Sequence, residues 1–126
     1  MKKVSFGNHS AIRVPRNLQE EIRTFYRDIL GCEITKQAED IDYFRMGDGF
    51  FVAFLYDDDA LAEPEWLKSA WLEIKADDVP TTKQKILTFG VKEVNSRDKS
   101  HLYFQVPGGQ VFRLVGTNED LSRFER

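Results

Sequence analysis

His9 and His101 are the only histidines in the chain, and histidine is the side chain whose ordinary pKa lies closest to neutrality. Each opens a stretch in which residue character alternates, His9-Ser-Ala-Ile-Arg-Val and His101-Leu-Tyr-Phe-Gln-Val. A two-residue period is that of a β-strand, so His9 shares a face with Ala11 and Arg13, and His101 with Tyr103 and Gln105. Histidine beside tyrosine can move protons, which makes His9, His101 and Tyr103 the catalytic candidates. The plainer reading is a histidine held passively by a hydrogen bond. The same period groups Trp71, Glu73 and Lys75, then Phe51, Ala53 and Leu55, then Val111, Arg113 and Val115, and finally Tyr43 with Arg45. Rings (Tyr43, Phe51, Trp71, Tyr103) with a few placed polar groups are what small-molecule pockets are made of. Arg13, Arg45, Lys75 and Arg113 set against Glu73 alone favour an anionic or carboxylate ligand, with arginine able to bind it through paired hydrogen bonds. Two duller readings stand beside this one. Arg113 can pair with Glu73 and stack on Trp71 as a structural plug, and Arg13 and Lys75 can reach solvent and only steer ligands.

These residues need elements to position them, and the elements occur twice. A first strand at His9–Val14 is followed by a helical run ending in Phe25-Tyr26-Arg27-Asp28-Ile29-Leu30-Gly31, then by three short strands ending near Tyr56. Trp71–Ala76, a helical run ending at Phe89-Gly90 and three strands ending near Val115 repeat the pattern. In the first helix Leu18, Ile22, Phe25 and Ile29 fall on one face, and Asn17 with Glu20 reads as its cap. In the second, Asp77 or Asp78 caps, Pro80 is tolerated in the first turn, and Gly90 ends it. Gly47-Asp48-Gly49 and Pro107-Gly108-Gly109 are matching turns. The organisation expected is one domain of two pseudo-repeats, about 4–57 and 69–116, with an acidic linker 57–68 and a tail 117–126. Each half is βαβββ, so the fold class is α+β, with two modules curving around a shared cleft. Leu121 and Phe124 would line a helical turn of the tail, or the terminus frays.

Composition sets the outer limits. The 126 residues are 41% hydrophobic and 31% charged, with a net charge of -3, which argues against a nucleic-acid partner. Cys32 is the only cysteine, which excludes an intrachain disulfide and fits a reducing compartment. The N-terminal stretch reaches polar residues before any long apolar run, so no secretory signal or membrane association is read and a cytoplasmic protein is expected. The run Asp57-Asp58-Asp59 lacks the glycine and spaced donors of a calcium loop and reads as solvated.

The chain resembles the vicinal oxygen chelate superfamily, which includes glyoxalase I, the bleomycin- and fosfomycin-resistance proteins and the extradiol dioxygenases. The likeness is carried by His9-x-x-Ile12-x-Val14, by Phe25-Tyr26-Arg27-Asp28-Ile29-Leu30-Gly31 and by His101-Leu-Tyr-Phe-Gln-Val-Pro107-Gly108-Gly109, and spans about residues 8–116. The resemblance implies metal ligands early in the first strand and within the last strand of each half. His9 matches one such position. Aligning Gly49 with Gly109 places the others at Ala53, Trp71 and Arg113, where the family's enzymes carry His and Glu. One imidazole does not hold a divalent ion, and a guanidinium repels it. No metal and no cofactor are therefore expected.

The reading that follows is a metal-free small-molecule binding protein of the glyoxalase and bleomycin-resistance type, a homodimer as is common in the family. Three rivals stay open. One is a superfamily lyase, isomerase or dioxygenase with a displaced set such as His9, His101 and Glu73. Another is a metal-independent acid–base enzyme with His9 or His101 as base and Arg113 as oxyanion clamp. The last is an interaction module with a plugged cleft.

Overall fold

The structure, a computed structural model, describes residues 3–122. Contacts divide the chain between Ala62 and Glu63 into two units, each built on a four-stranded sheet.

In the first unit β1 (His9–Pro15), β2 (Glu33–Gln37), β3 (Ile41–Arg45) and β4 (Phe51–Asp57) are ordered β1-β4-β3-β2. β1 runs parallel to β4, in register His9↔Phe51 and Ala11↔Ala53, and the remaining pairs are antiparallel. Alternation works as read: Ile12 and Val14 are buried, while His9, Ala11 and Arg13 are exposed. The helix differs from the expectation. Asn17 does not cap it, because Pro15, with φ near −61°, leads directly into a 3-10 turn at Arg16–Leu18 that takes Asn17 inside. The α-helical part, α1 (Gln19–Thr24), then widens into a π turn at Phe25–Ile29, closed by Leu30 N–H donating to the Phe25 carbonyl. A wider turn brings two consecutive residues inward, so Phe25 and Tyr26 are both buried. Tyr26 packs against Phe54 and Phe44 at ring-centroid distances of 4.7 and 5.6 Å, contacts worth about 0.5–1.5 kcal/mol each beyond area burial. One charge enters this core. Asp42, fully buried, accepts from Arg23 (2.8 Å) and from the Tyr56 hydroxyl (2.7 Å), tying α1 to the sheet.

The second unit opens with a short helix, α2 (Glu63–Trp66), inside the stretch read as a linker. It is held to the Pro107-Gly108-Gly109 turn. Gln105 donates to the Glu63 carbonyl at 2.7 Å, Gly108 N–H donates to the Glu63 carboxylate at 3.1 Å, and the Trp66 ring lies where a Gly109 side chain would be. β5 (Trp71–Ala76), β6 (Lys92–Glu93), β7 (Leu102–Gln105) and β8 (Val111–Gly116) are ordered β5-β8-β7-β6. α3 (Val79–Phe89) lies between β5 and β6 in sequence. Asp78 caps it by accepting from Thr81 N–H at 3.1 Å, and Gly90 closes it at φ 101°. Ile86, Leu102, Phe104, Phe112 and Leu114 are buried in this unit. The strand expected at Val91–Val94 shortens to two residues, because the chain leaves the sheet as a loop from Asn95 to Ser100. Of the tail, Leu121 is half-buried and Phe124 lies outside the described residues. No helix among the described residues is long and apolar enough to cross a membrane.

Candidate functional site

The parallel pairing of β5 with β8 sets Glu73 directly opposite Arg113, and the antiparallel pairing of β7 with β8 sets Tyr103 on its other side. Backbone register therefore brings four of the predicted residues together. Arg113 donates from Nε and Nη2 to the Glu73 carboxylate, the first at 3.0 Å. Its guanidinium lies 4.7 Å from the Trp71 ring centre, and Trp71 meets Tyr103 edge-on at 5.5 Å. Arg113 thus makes the pairing and stacking of the structural reading, and it is 5% exposed with its head engaged by its neighbours. Trp71 remains 47% exposed.

The hub of the network is Asp98, which the sequence did not single out. It lies in the β6–β7 loop, where its carboxylate accepts from Ser100 N–H (3.0 Å) and the Ser100 hydroxyl (2.6 Å) in a local turn. The other oxygen receives His101 Nδ1 (2.6 Å), the Tyr103 hydroxyl (3.2 Å) and Arg113 Nη1 (3.4 Å). The Ser100 bonds, followed by the His101 bond, hold Asp98 well below the usual carboxylate range. His101 Nε2 meets Glu119, a second carboxylate absent from the sequence reading. Burial alone would lower the His101 pKa, but the bonds to Glu119 and Asp98 outweigh it and the net shift is upward. Glu119 is lowered in turn, first by His101 and then by Gly116 N–H. Both ring nitrogens of His101 are thus engaged by carboxylates, which favours its protonated form. The Ser96-Arg-Asp-Lys-Ser100 run of turn formers was the available signal for Asp98. Glu119 left none, because it acts across a turn.

In the first unit the predicted residues are brought to one face but not into a network. His9 is exposed and meets Asn8, 3.1 Å away. Arg13 pairs with Asp57 at 3.0 Å and Arg45 with Glu33 at 3.2 Å, while the Arg45 head covers the Phe51 ring at 4.9 Å. Tyr43 is half-buried opposite Ala53, which is almost covered and leaves a ligand little to touch. Acids outside the predicted set thus offset Arg13 and Arg45. Lys75 is exposed on β5.

The donor chemistry at the superfamily's ligand positions does not suit a metal. Ala53 has no donor, the Trp71 nitrogen has no lone pair to give, and Arg113 is a bound cation, leaving His9. The displaced set fares no better: both His101 nitrogens face carboxylates and Glu73 holds Arg113. Among the described residues no group of three or more His, Cys, Asp or Glu is placed to hold an ion.

A cavity of about 540 Å³ opens beside the network, lined by Trp71, Tyr103, Arg113 and the loop residues Ser96 to Ser100. Its volume lies within the range of small-molecule sites.

No family profile matches the sequence, and no curated protein does. Solved structures do match. A glyoxalase family protein from Bacillus anthracis superposes with a TM-score of 0.70 at 16% identity, over 92% of this chain and 98% of that one. A member of the glyoxalase/bleomycin resistance protein/dioxygenase superfamily from Sphaerobacter thermophilus gives 0.62 at 18%, over 90% and 98%. TnmS3, an antibiotic binding protein from Streptomyces sp. CB03234, gives 0.64 at 15%, over 92% and 98%. The fold of this chain is that of the glyoxalase/bleomycin resistance/dioxygenase, or vicinal oxygen chelate, superfamily, as the resemblance implied.

Proposed function

We propose that this protein belongs to that superfamily as a small-molecule binding protein that has given up the usual metal site. The observation that carries the reading is the half-exposed Trp71 ring, fixed by Arg113 and Tyr103 at the wall of a cavity about 540 Å³ in volume. A ring held at its face and edge is pre-organised for stacking, so little ordering entropy is lost when a ligand lands on it. The ion pairs of Arg113 supply rigidity and not catalysis. A similar structure is that of an antibiotic binding protein, which agrees with a binding role, and the preference expected here is for anionic or carboxylate ligands. The same proposal includes a homodimer in the cytoplasm. Cys32 suits a reducing compartment: half-buried beside Met46, its thiol is pushed up to about 11 by burial and is poorly reactive.

A thermal-shift screen of small aromatic and carboxylate compounds, run on the wild type and on Trp71→Ala, tests the reading. Hits that raise the wild-type midpoint by several degrees and leave the variant unmoved support it. Hits indifferent to Trp71 reject it.

A further inference from the structure

The geometry points to an anion subsite in the Asn95–Ser100 loop, formed by Arg97 and Lys99, which holds the acidic group of a planar aromatic ligand stacked on Trp71. This deepens the reading just given and rests on it. Arg13, Arg16, Arg23, Arg27, Arg45 and Arg113 each hold a carboxylate within ion-pair distance. Among the described residues Arg97 is the arginine that holds none, and it lines the cavity together with Lys99 and the Trp71 ring. The one acid between them, Asp98, lines the cavity as well, but its carboxylate is engaged by Ser100, His101, Tyr103 and Arg113 and makes no ion pair with either neighbour among the described residues. Those bonds also fix the loop that carries them, with Asp98 N–H adding a further bond to the Ser96 hydroxyl at 3.3 Å. An unpaired guanidinium and an ammonium on a tethered loop, beside an exposed indole, match a ligand with a flat apolar body and an anionic edge. Of the strand cations, Arg13, Arg45 and Arg113 have met their own acids and Lys75 stays exposed, and the loop adds two cations at the cavity wall.

Three probes of one shape separate the contributions: 2-naphthoate, 2-naphthyl phosphate and the uncharged 2-naphthamide. Their affinities are measured by calorimetry at low and high salt on the wild type, on Arg97→Ala/Lys99→Ala and on Trp71→Ala, with urea melts confirming that the variants fold. In the wild type at least one anionic probe binds about five- to tenfold tighter than the amide, and salt erodes the difference. In the double variant that ratio falls to near one. A tighter phosphate ester assigns the subsite to phosphate and a tighter naphthoate to carboxylate, and either order supports it. If the wild type binds amide and acids equally, or the double variant keeps the preference, the subsite is overturned while binding at Trp71 stands. If no probe binds the wild type, or Trp71→Ala binds all three unchanged, the underlying reading falls with it.

Discussion

Arg113 brings a cation into a fully paired strand, and what makes it tolerable there is two acids, Glu73 and Asp98, with the Tyr103 hydroxyl, contributed by three different segments. Removing the cation leaves Glu73 and Asp98 facing an empty space, whereas removing one acid leaves a cation with other partners. Loss is therefore asymmetric. In urea melts Arg113→Met should cost about 1–3 kcal/mol and Glu73→Gln about 1 kcal/mol or less; equal losses would show that the pair does not share its acids in this way. His101 gives a pH signature. Its folded pKa is raised above the ordinary value near 6.5, so its contribution is complete below about pH 6.5 and declines as pH rises through the folded value. The melting temperature of the wild type should fall across that rise, and His101→Gln should flatten the slope; an unchanged slope would place the titration elsewhere. The Glu73–Arg113–Trp71 cluster was legible in the sequence because alternation and parallel pairing are nearly enough to derive it. Asp98 and Glu119 were not, since loop residues carry no period.

Elements reproduce the sequence expectation where local chemistry decides and depart from it where packing does. Asp78, Pro80 and Gly90 bound α3 as read, because a capping oxygen, a tolerated first-turn proline and a left-handed glycine are local facts. Asn17 fails as a cap because Pro15 starts the turn earlier, and the π turn carries two consecutive rings, Phe25 and Tyr26, into the core. Asp42 shows the same limit: its place on the face of Phe44 was readable from alternation, but that Arg23 and Tyr56 would satisfy it was not. The stretch 57–68 reads as a linker because it is polar and acidic and contains Pro64, yet within it Trp66 docks α2 on the second-half turn. Gly109 permits this twice over, with φ of 115° and no side chain beneath the indole. Gly109→Ala should destabilise by about 1–3 kcal/mol from backbone strain alone, read as a lowered urea midpoint. Gly7→Ala, where no atom lies near and φ is ordinary, serves as the control that should not move.

At the scale of the whole molecule, a duplicated module gives two sheets of identical strand order whose faces carry unlike chemistry. The first presents paired arginines and an exposed histidine, and the second presents a braced indole with a cationic loop. The two-module α+β pattern was legible because repetition, turn glycines and strand alternation agree with one another. The charge balance of the site was only partly so: Asp57 ends the face of Phe51, Ala53 and Leu55 and Glu33 pairs in register with Arg45, but neither was counted against the cations, and Asp98 lies in a loop. For the proposed homodimer, light scattering should return twice the mass of the chain, and a single-chain mass would reject it. Whether a ligand is gripped here without an ion is decided by calorimetry of 2-naphthoate binding, after exhaustive chelation and again with one equivalent of zinc, manganese or iron(II). Affinities equal within about twofold are expected, a difference well under 1.4 kcal/mol. Binding that disappears on chelation and returns with a single added ion would contradict the metal-free pocket outright.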